Sequence, residues 1–237
     1  MDVDHTKKQN AITNARAYNE TISNGFIQSQ DPFNAKIPTT DLSNYSNLLS
    51  INDDGVMGLV NIPSIHVQLP IYHGTTEQVL EKGIGHLEGT SLPIGGVGTH
   101  TVLTGHSGLS NAKLFTDLNQ LQEGDYFFLD VWGDTLAYQV DQIRVVLPSD
   151  LDLLQITPGK DYCTLLTCTP YGVNTHRLLV RGIRTEIPKK EQPVIMKQTH
   201  HEPSRWLVEY KSALLIGLGL FCFGFAVIFG YRSYHKK

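Results

Sequence analysis

Between residues 58 and 187 the chain is a succession of short apolar or alternating runs, each closed by glycine or proline. This punctuation constrains the fold more than any other feature. Gly58-Leu59-Val60-Asn61-Ile62 stops at Pro63, and residues 66–72 alternate apolar with polar before turning at His73-Gly74. Residues 98–103 run into Thr104-Gly105-His106-Ser107-Gly108. Residues 125–131 and 135–140 flank Trp132-Gly133-Asp134, a hairpin signal, and residues 142–147 continue the pattern. Residues 162–167 and 177–183 read as the last two strands. Many short strands joined by Gly/Pro turns predict a mainly β domain closed as a barrel or sandwich. Helical spacing is confined to residues 10–30 (one or two short helices) and to brief helices near 76–80 and 114–118.

The domain runs from 51 to 187, large enough to bury a core, with a polar helical arm over 1–50 before it. Residues 188–205, with Pro188, Pro193, Pro203 and paired Lys189-Lys190, read as a linker. Residues 206–231 read as a transmembrane anchor, because 212–231 carry no charge and match the length of a membrane-spanning helix. Trp206, Tyr210, Tyr231 and Tyr234 flank the apolar stretch as interfacial aromatics do, and the basic tail 232–237 places the C-terminus in the cytoplasm. The domain is therefore expected outside a single-pass membrane anchor. Residues 1–25 are polar and do not read as a signal peptide. Net charge is −4 with 18% charged residues, and no basic patch suggests a nucleic-acid partner.

Three cysteines are present. Cys222 falls in the apolar tail. Cys163 and Cys168 are five apart on one expected strand, about 16 Å, and face opposite ways. A disulfide needs Cα atoms within about 7 Å, so Cys168 is expected to be a free thiol. Burial statistics alone would make it a small core residue. Its place at a strand end, beside Thr169-Pro170-Tyr171-Gly172, argues for a nucleophile instead, and Cys163 for the core.

A cysteine nucleophile needs a base or a depressed pKa. Of ten histidines, His106 closes a strand and lies between glycines that allow another chain to approach. His100 lies back along the same strand, and His66, His73 and His86 suggest no partner. An oxyanion needs a fixed cation, and an arginine fork supplies one. If the last two strands pair across the turn at 169–176, Arg177 falls beside Cys168. Arg181 then falls beside Thr164, about 13 Å further on.

Thr164-Leu165-Leu166-Thr167-Cys168, preceded by Gly105-His106 and followed by Arg177, resembles the signature of the sortases, cysteine transpeptidases that work outside Gram-positive cells. The resemblance spans roughly 58–187 and implies an eight-stranded sortase-type barrel. It implies that Cys168 attacks the Thr–Gly bond of a Leu-Pro-x-Thr-Gly-like sorting signal to form a thioester. His106 would serve as general acid and base, and Arg177 would hold the oxyanion. Asp31-Pro32-Phe33 resembles the lid of class C sortases, which polymerise pilins through a lysine amine. There the lid aspartate lies near the catalytic arginine and the aromatic ring over the cysteine. No cofactor or metal is implied, and Asp150 and Asp152 read as turn acids rather than calcium ligands. The N-terminal hydrophobic segment common in class C is not seen in residues 1–25. An exposed Asp31–Arg177 pair would hold such a lid by only about 0–1 kcal/mol.

Other readings predict other residues. L,D-transpeptidases place His-Gly directly before their cysteine, where this chain has Leu166-Thr167. Papain-like hydrolases carry the cysteine early, on a helix. A wall-anchoring sortase of another class would lack the 31–33 motif. A non-catalytic anchored surface domain would not need Cys168.

Overall fold

Eight strands close into one barrel in the computed structural model, which describes residues 5–24, 31–33, 44–50, 55–107 and 113–189. They are β1 (Val56–Ile62), β2 (Val67–His73), β3 (Ile84–His86), β4 (Thr99–Thr104), β5 (Tyr126–Val131), β6 (Asp134–Val146), β7 (Asp161–Thr169) and β8 (His176–Thr185). Around the barrel the order is β1-β2-β3-β4-β7-β8-β6-β5, and β5 returns to β1. Two α-helices accompany it among the described residues, α1 (His5–Asn24) and α2 (Glu77–Leu80). The chain divides at residue 187; the barrel and arm form the first unit. The anchor 206–231 and nearly all of the linker lie outside the described residues. Among those described, no helix is long and apolar enough to cross a membrane.

Period-two alternation sorts the wall into two faces. Leu103 of β4, Cys163 and Leu165 of β7, and Leu178 and Val180 of β8 belong to the main core with Phe127 and Tyr138. Their neighbours Val102, Leu166 and Leu179 face the other way. They build a second, smaller apolar cluster with Leu87, Val146 and Leu154 on the outer side of the wall. Phe33 packs on that cluster.

The differences from the sequence reading have local causes. The expected short N-terminal helices are one 20-residue helix, because Ala15, Tyr18 and Ile22 recur on one face and are buried together. Asn19 exchanges two hydrogen bonds with the Leu92 backbone, which fixes that face on the barrel. Residues 135–140 and 142–147 are not two runs: β6 passes through both, with a register shift between Val140 and Gln142. The helix expected over 114–118 is a turn followed by a 3-10 turn at Leu118–Gln120. Strand β3 was not expected. It spans three residues, pairs parallel with β2 and antiparallel with β4, and carries buried His86 into the barrel wall.

Candidate active site

The turn after β7 is tight: the backbone N–H groups of Val173 and Asn174 both donate to the Pro170 carbonyl. Gly172 and Asn174 take positive φ (72° and 60°), which glycine and asparagine accept most readily. This closure sets the β7/β8 register, and Cys168 lies directly opposite Arg177, with Thr164 opposite Arg181. Arg181 belongs to a separate ion pair with Asp141 and stacks on Tyr162.

On its other edge β7 runs parallel to β4, where Thr104 pairs with Leu166. The ladder continues past the end of β4, since Gly105 N donates to the Leu166 carbonyl at 3.1 Å. Thr167 Oγ1 donates to the Gly105 carbonyl at 2.7 Å, and Ser107 Oγ to the Cys168 carbonyl at 2.8 Å. The His106 loop is thus tied to the Cys168 strand end on both sides of the histidine. Gly105 is required there: a Cβ would sit 2.6 Å from Ile84 Cδ1 and 2.8 Å from Phe115 Cδ2. Neighbouring strands lie about 4.8 Å apart. Imidazole, thiol and guanidinium therefore stand side by side on three consecutive strand ends, on the outer face that carries the small apolar cluster.

The 31–33 segment covers this row. Asp31 accepts from Arg177 Nε at 2.8 Å and from Nη2 at 2.7 Å. Arg177 Nη1 donates to the carbonyls of Asn174 and His176, each at 3.0 Å. Phe33 lies between the two partners of the thiol, its ring centroid 5.5 Å from that of His106 and 5.0 Å from the Arg177 guanidinium carbon. The side chains of Arg177 and Asp31 are only 3% and 10% exposed, so the expectation of an exposed, weakly held pair is corrected. Pro32 is buried and Phe33 seats in the apolar cluster, which removes water from around the ions.

Cys168 is buried as well, with 8% of its surface exposed. Burial pushes its thiol above the ordinary range, Arg177 offsets part of the rise, and Asp31 adds to it. Arg177 loses by burial but gains more from Asp31 and Cys168, and its charge is held more firmly than usual. With this cover in place the sulfur is kept as a thiol. Cys163, also free, is wholly inside the core.

The other buried histidines are structural. His86 Nδ1 pairs with the Tyr45 hydroxyl at 2.8 Å and its Nε2 with the Ser91 carbonyl at 2.9 Å. His100 binds the Gln155 carbonyl and Thr164 Oγ1. His73 also has partners, the Gly55 and Leu48 carbonyls. Sequence reasoning missed Tyr45, Ser107 and Glu77; the last has a carboxylate oxygen 3.4 Å from His106 Nε2. Among the described residues no cluster suited to a metal ion occurs.

The fold matches known proteins. A family model described as the sortase domain matches residues 60–185. The structure resembles that of sortase C-1 from Actinomyces oris, with a TM-score of 0.73 and 47% identity over 77% of this chain and 99% of that one. It resembles Group B Streptococcus pilus island 1 sortase C2 with a TM-score of 0.71 and 49% identity, over 78% of this chain and all (100%) of that one. By sequence, sortase A of Bacillus anthracis is 30% identical over 148 residues, which is 62% of this chain and 68% of that protein.

Proposed function

Because the chain belongs to the sortase family of cysteine transpeptidases, we propose that it is a class C member that polymerises pilins. The reading is carried by one observation: Cys168 and Arg177 are register partners, with the tethered His106 loop on the other side of the thiol, under a clasp made by Asp31 and Phe33. Its likeness to sortases C, at 43–49% identity, supports the subclass.

Turnover begins with departure of the 31–33 segment. While Asp31 occupies the Arg177 fork, four of that side chain's five N–H donors are engaged, and the Nε–Nη2 edge is closed to a substrate. Release vacates the fork and removes the carboxylate that raises the thiol. The apolar floor of Val102, Leu166 and Leu179 then faces the Leu-Pro part of a sorting signal. His106 takes the Cys168 thiol proton as Sγ attacks the carbonyl of the Thr–Gly bond, and the oxyanion takes the position of the Asp31 carboxylate on Arg177. His106 gives its proton to the departing glycine amine as the C–N bond breaks, leaving a thioester. A pilin lysine amine attacks that thioester, His106 accepts its proton, and the thiolate leaves as the isopeptide forms. Residues 206–231 complete the reading as a single membrane anchor that holds the barrel at the cell surface.

The test incubates the purified full chain, kept in mild detergent, with a Leu-Pro-x-Thr-Gly peptide and a pilin. A Cys168-linked acyl-enzyme in the mass spectrum and a covalent pilin ladder are expected, both lost in Cys168→Ala. A ladder that persists without the thiol would overturn the proposal. A wall-anchoring role would give the acyl-enzyme but no ladder.

A further inference from the structure

His106 differs from three other histidines of the barrel. His73, His86 and His100 have both ring nitrogens engaged. The Nε2 of His106 is shielded from solvent and has no hydrogen-bond partner among the described residues. Glu77 Oε1 stands 3.4 Å from that nitrogen, within ion-pair reach but out of line for a hydrogen bond. An unpaired buried polar atom is costly, and here an acceptor lies one small side-chain rotation away.

We propose that Glu77 is a positioning residue for the transfer reaction. Its carboxylate accepts the Nε2–H of His106 during turnover. This holds the ring in one tautomer and leaves Nδ1 to serve the sulfur and the two amines. The inference rests on the reading of His106 as the proton carrier.

The surroundings favour Glu77 for this task. Its backbone is fixed: it opens α2, where Val79 N and Leu80 N both donate to the Thr76 carbonyl and Leu80 is buried. Its side chain is free to turn, being 72% exposed. The other charges facing His106 are already committed. Asp31 and Arg177 neutralise each other on the far side of Phe33. Lys113, on the segment that follows the His106 loop, pairs with Asp117. Cys168 is held as a thiol. Glu77 is therefore the carboxylate available when the imidazole becomes charged. With the cover closed, the Phe33 ring lies against the imidazole at a 41° tilt, and the pair with Glu77, whose carboxylate end is exposed, is weak. Once Phe33 leaves and a peptide excludes water, the same contact strengthens. The proton moves between His106 and the reacting groups.

The experiment follows acyl-enzyme formation by the full chain in an Asp31→Ala background, so that release of the cover does not limit the rate. Glu77→Ala is expected to lower kcat about five- to tenfold with the peptide KM unchanged. Glu77→Gln, whose amide oxygen still accepts, is expected to recover part of that loss. Glu81→Gln, at the exposed C-cap of α2, is expected to leave kcat unchanged. Nitrogen-15 spectra of the imidazole are expected to report the Nε2–H tautomer with Glu77 and a mixture with alanine. An unchanged kcat, a loss seen in KM alone, an equal loss in Glu81→Gln or an unchanged tautomer ratio would each overturn the role of Glu77. Full activity in His106→Ala would instead remove the reading on which it rests.

Discussion

Asp31 grips Arg177 through two parallel hydrogen bonds, Nε to Oδ1 at 2.8 Å and Nη2 to Oδ2 at 2.7 Å, across 146 positions of sequence. Both side chains are almost wholly out of water. In that setting the loss of one partner is severe, because the other charge is left buried and unpaired. The 31–33 motif, which is no part of the main core, would yield first. Asp31→Ala is expected to release the cover without unfolding the barrel, whose core does not include it. Release also removes the carboxylate that helps raise the Cys168 thiol. Alkylation of Cys168 near neutral pH should then accelerate at least about tenfold. Its pH midpoint should fall, since burial and Asp31 both push it up in the closed form. An unchanged labelling rate would argue against a closed cover.

Arg177→Lys separates the two tasks proposed for the guanidinium. Lysine keeps the charge but cannot form the fork. The clasp with Asp31 and the two carbonyl contacts of Nη1 cannot all be remade from one ammonium. Labelling of Cys168 is expected to rise, as in Asp31→Ala. Acyl transfer is expected to fall by about 100- to 1,000-fold, the usual cost of removing an oxyanion donor. Parallel measurement of the two rates decides the matter: a variant that labels faster and also transfers at the parent rate would show that Arg177 serves only to hold the cover.

The segment from β7 through its turn to β8 was legible because strand alternation and turn length leave little freedom. Pairing of the expected strands across 169–176 put Cys168 beside Arg177 and Arg181 beside Thr164, and both pairs are found. The 31–33 motif pointed to contact with Arg177, but nothing in its spacing could tell that Pro32 and Phe33 would bury the ions. Strand β3 escaped notice because three residues are too few to display alternation. With β3 missed, the closeness of Glu77 to His106 was invisible as well, since that short strand links α2 to β4. Tyr45 escaped for a similar reason: its hydroxyl joins His86 to Gly74 N through space, and no local pattern marks such a partner.

Stability should fall on acidification, through the two structural histidines. Burial lowers both His86 and His100 to about 4, against an ordinary value of 6.5. Between these limits the unfolded chain binds more protons than the folded one, so stability rises with pH across the window and is lost as pH drops from 6.5 toward 4. Each histidine could contribute up to about 3 kcal/mol. Asp161 and Glu88, both raised by burial, act in the opposite sense at the acid end, because the folded form holds their protons longer. Urea unfolding of the full chain at a series of pH values should show the decline, and His100→Gln should flatten it. A stability independent of pH across this window would mean that these imidazoles gain protons without disturbing the fold.

Thr104 offers a test on the floor of the same site. Its hydroxyl is buried and has no hydrogen-bond partner among the described residues. It lies on β4 two positions before His106, on the outer face shared with Val102. Valine has nearly the same shape and removes only the oxygen. An unpaired buried polar group costs about 1–3 kcal/mol, so Thr104→Val is expected to stabilise the barrel by about 1 kcal/mol and to raise Tm by a few degrees. The Gly105 and Thr167 contacts that hold the His106 loop do not involve this hydroxyl, so the loop should keep its place. Thiol labelling in the resting protein should therefore stay at the parent rate while Tm rises. A lowered Tm would show that the hydroxyl has a partner in the folded chain, and that the outer face is less apolar than Val102, Leu166 and Leu179 make it.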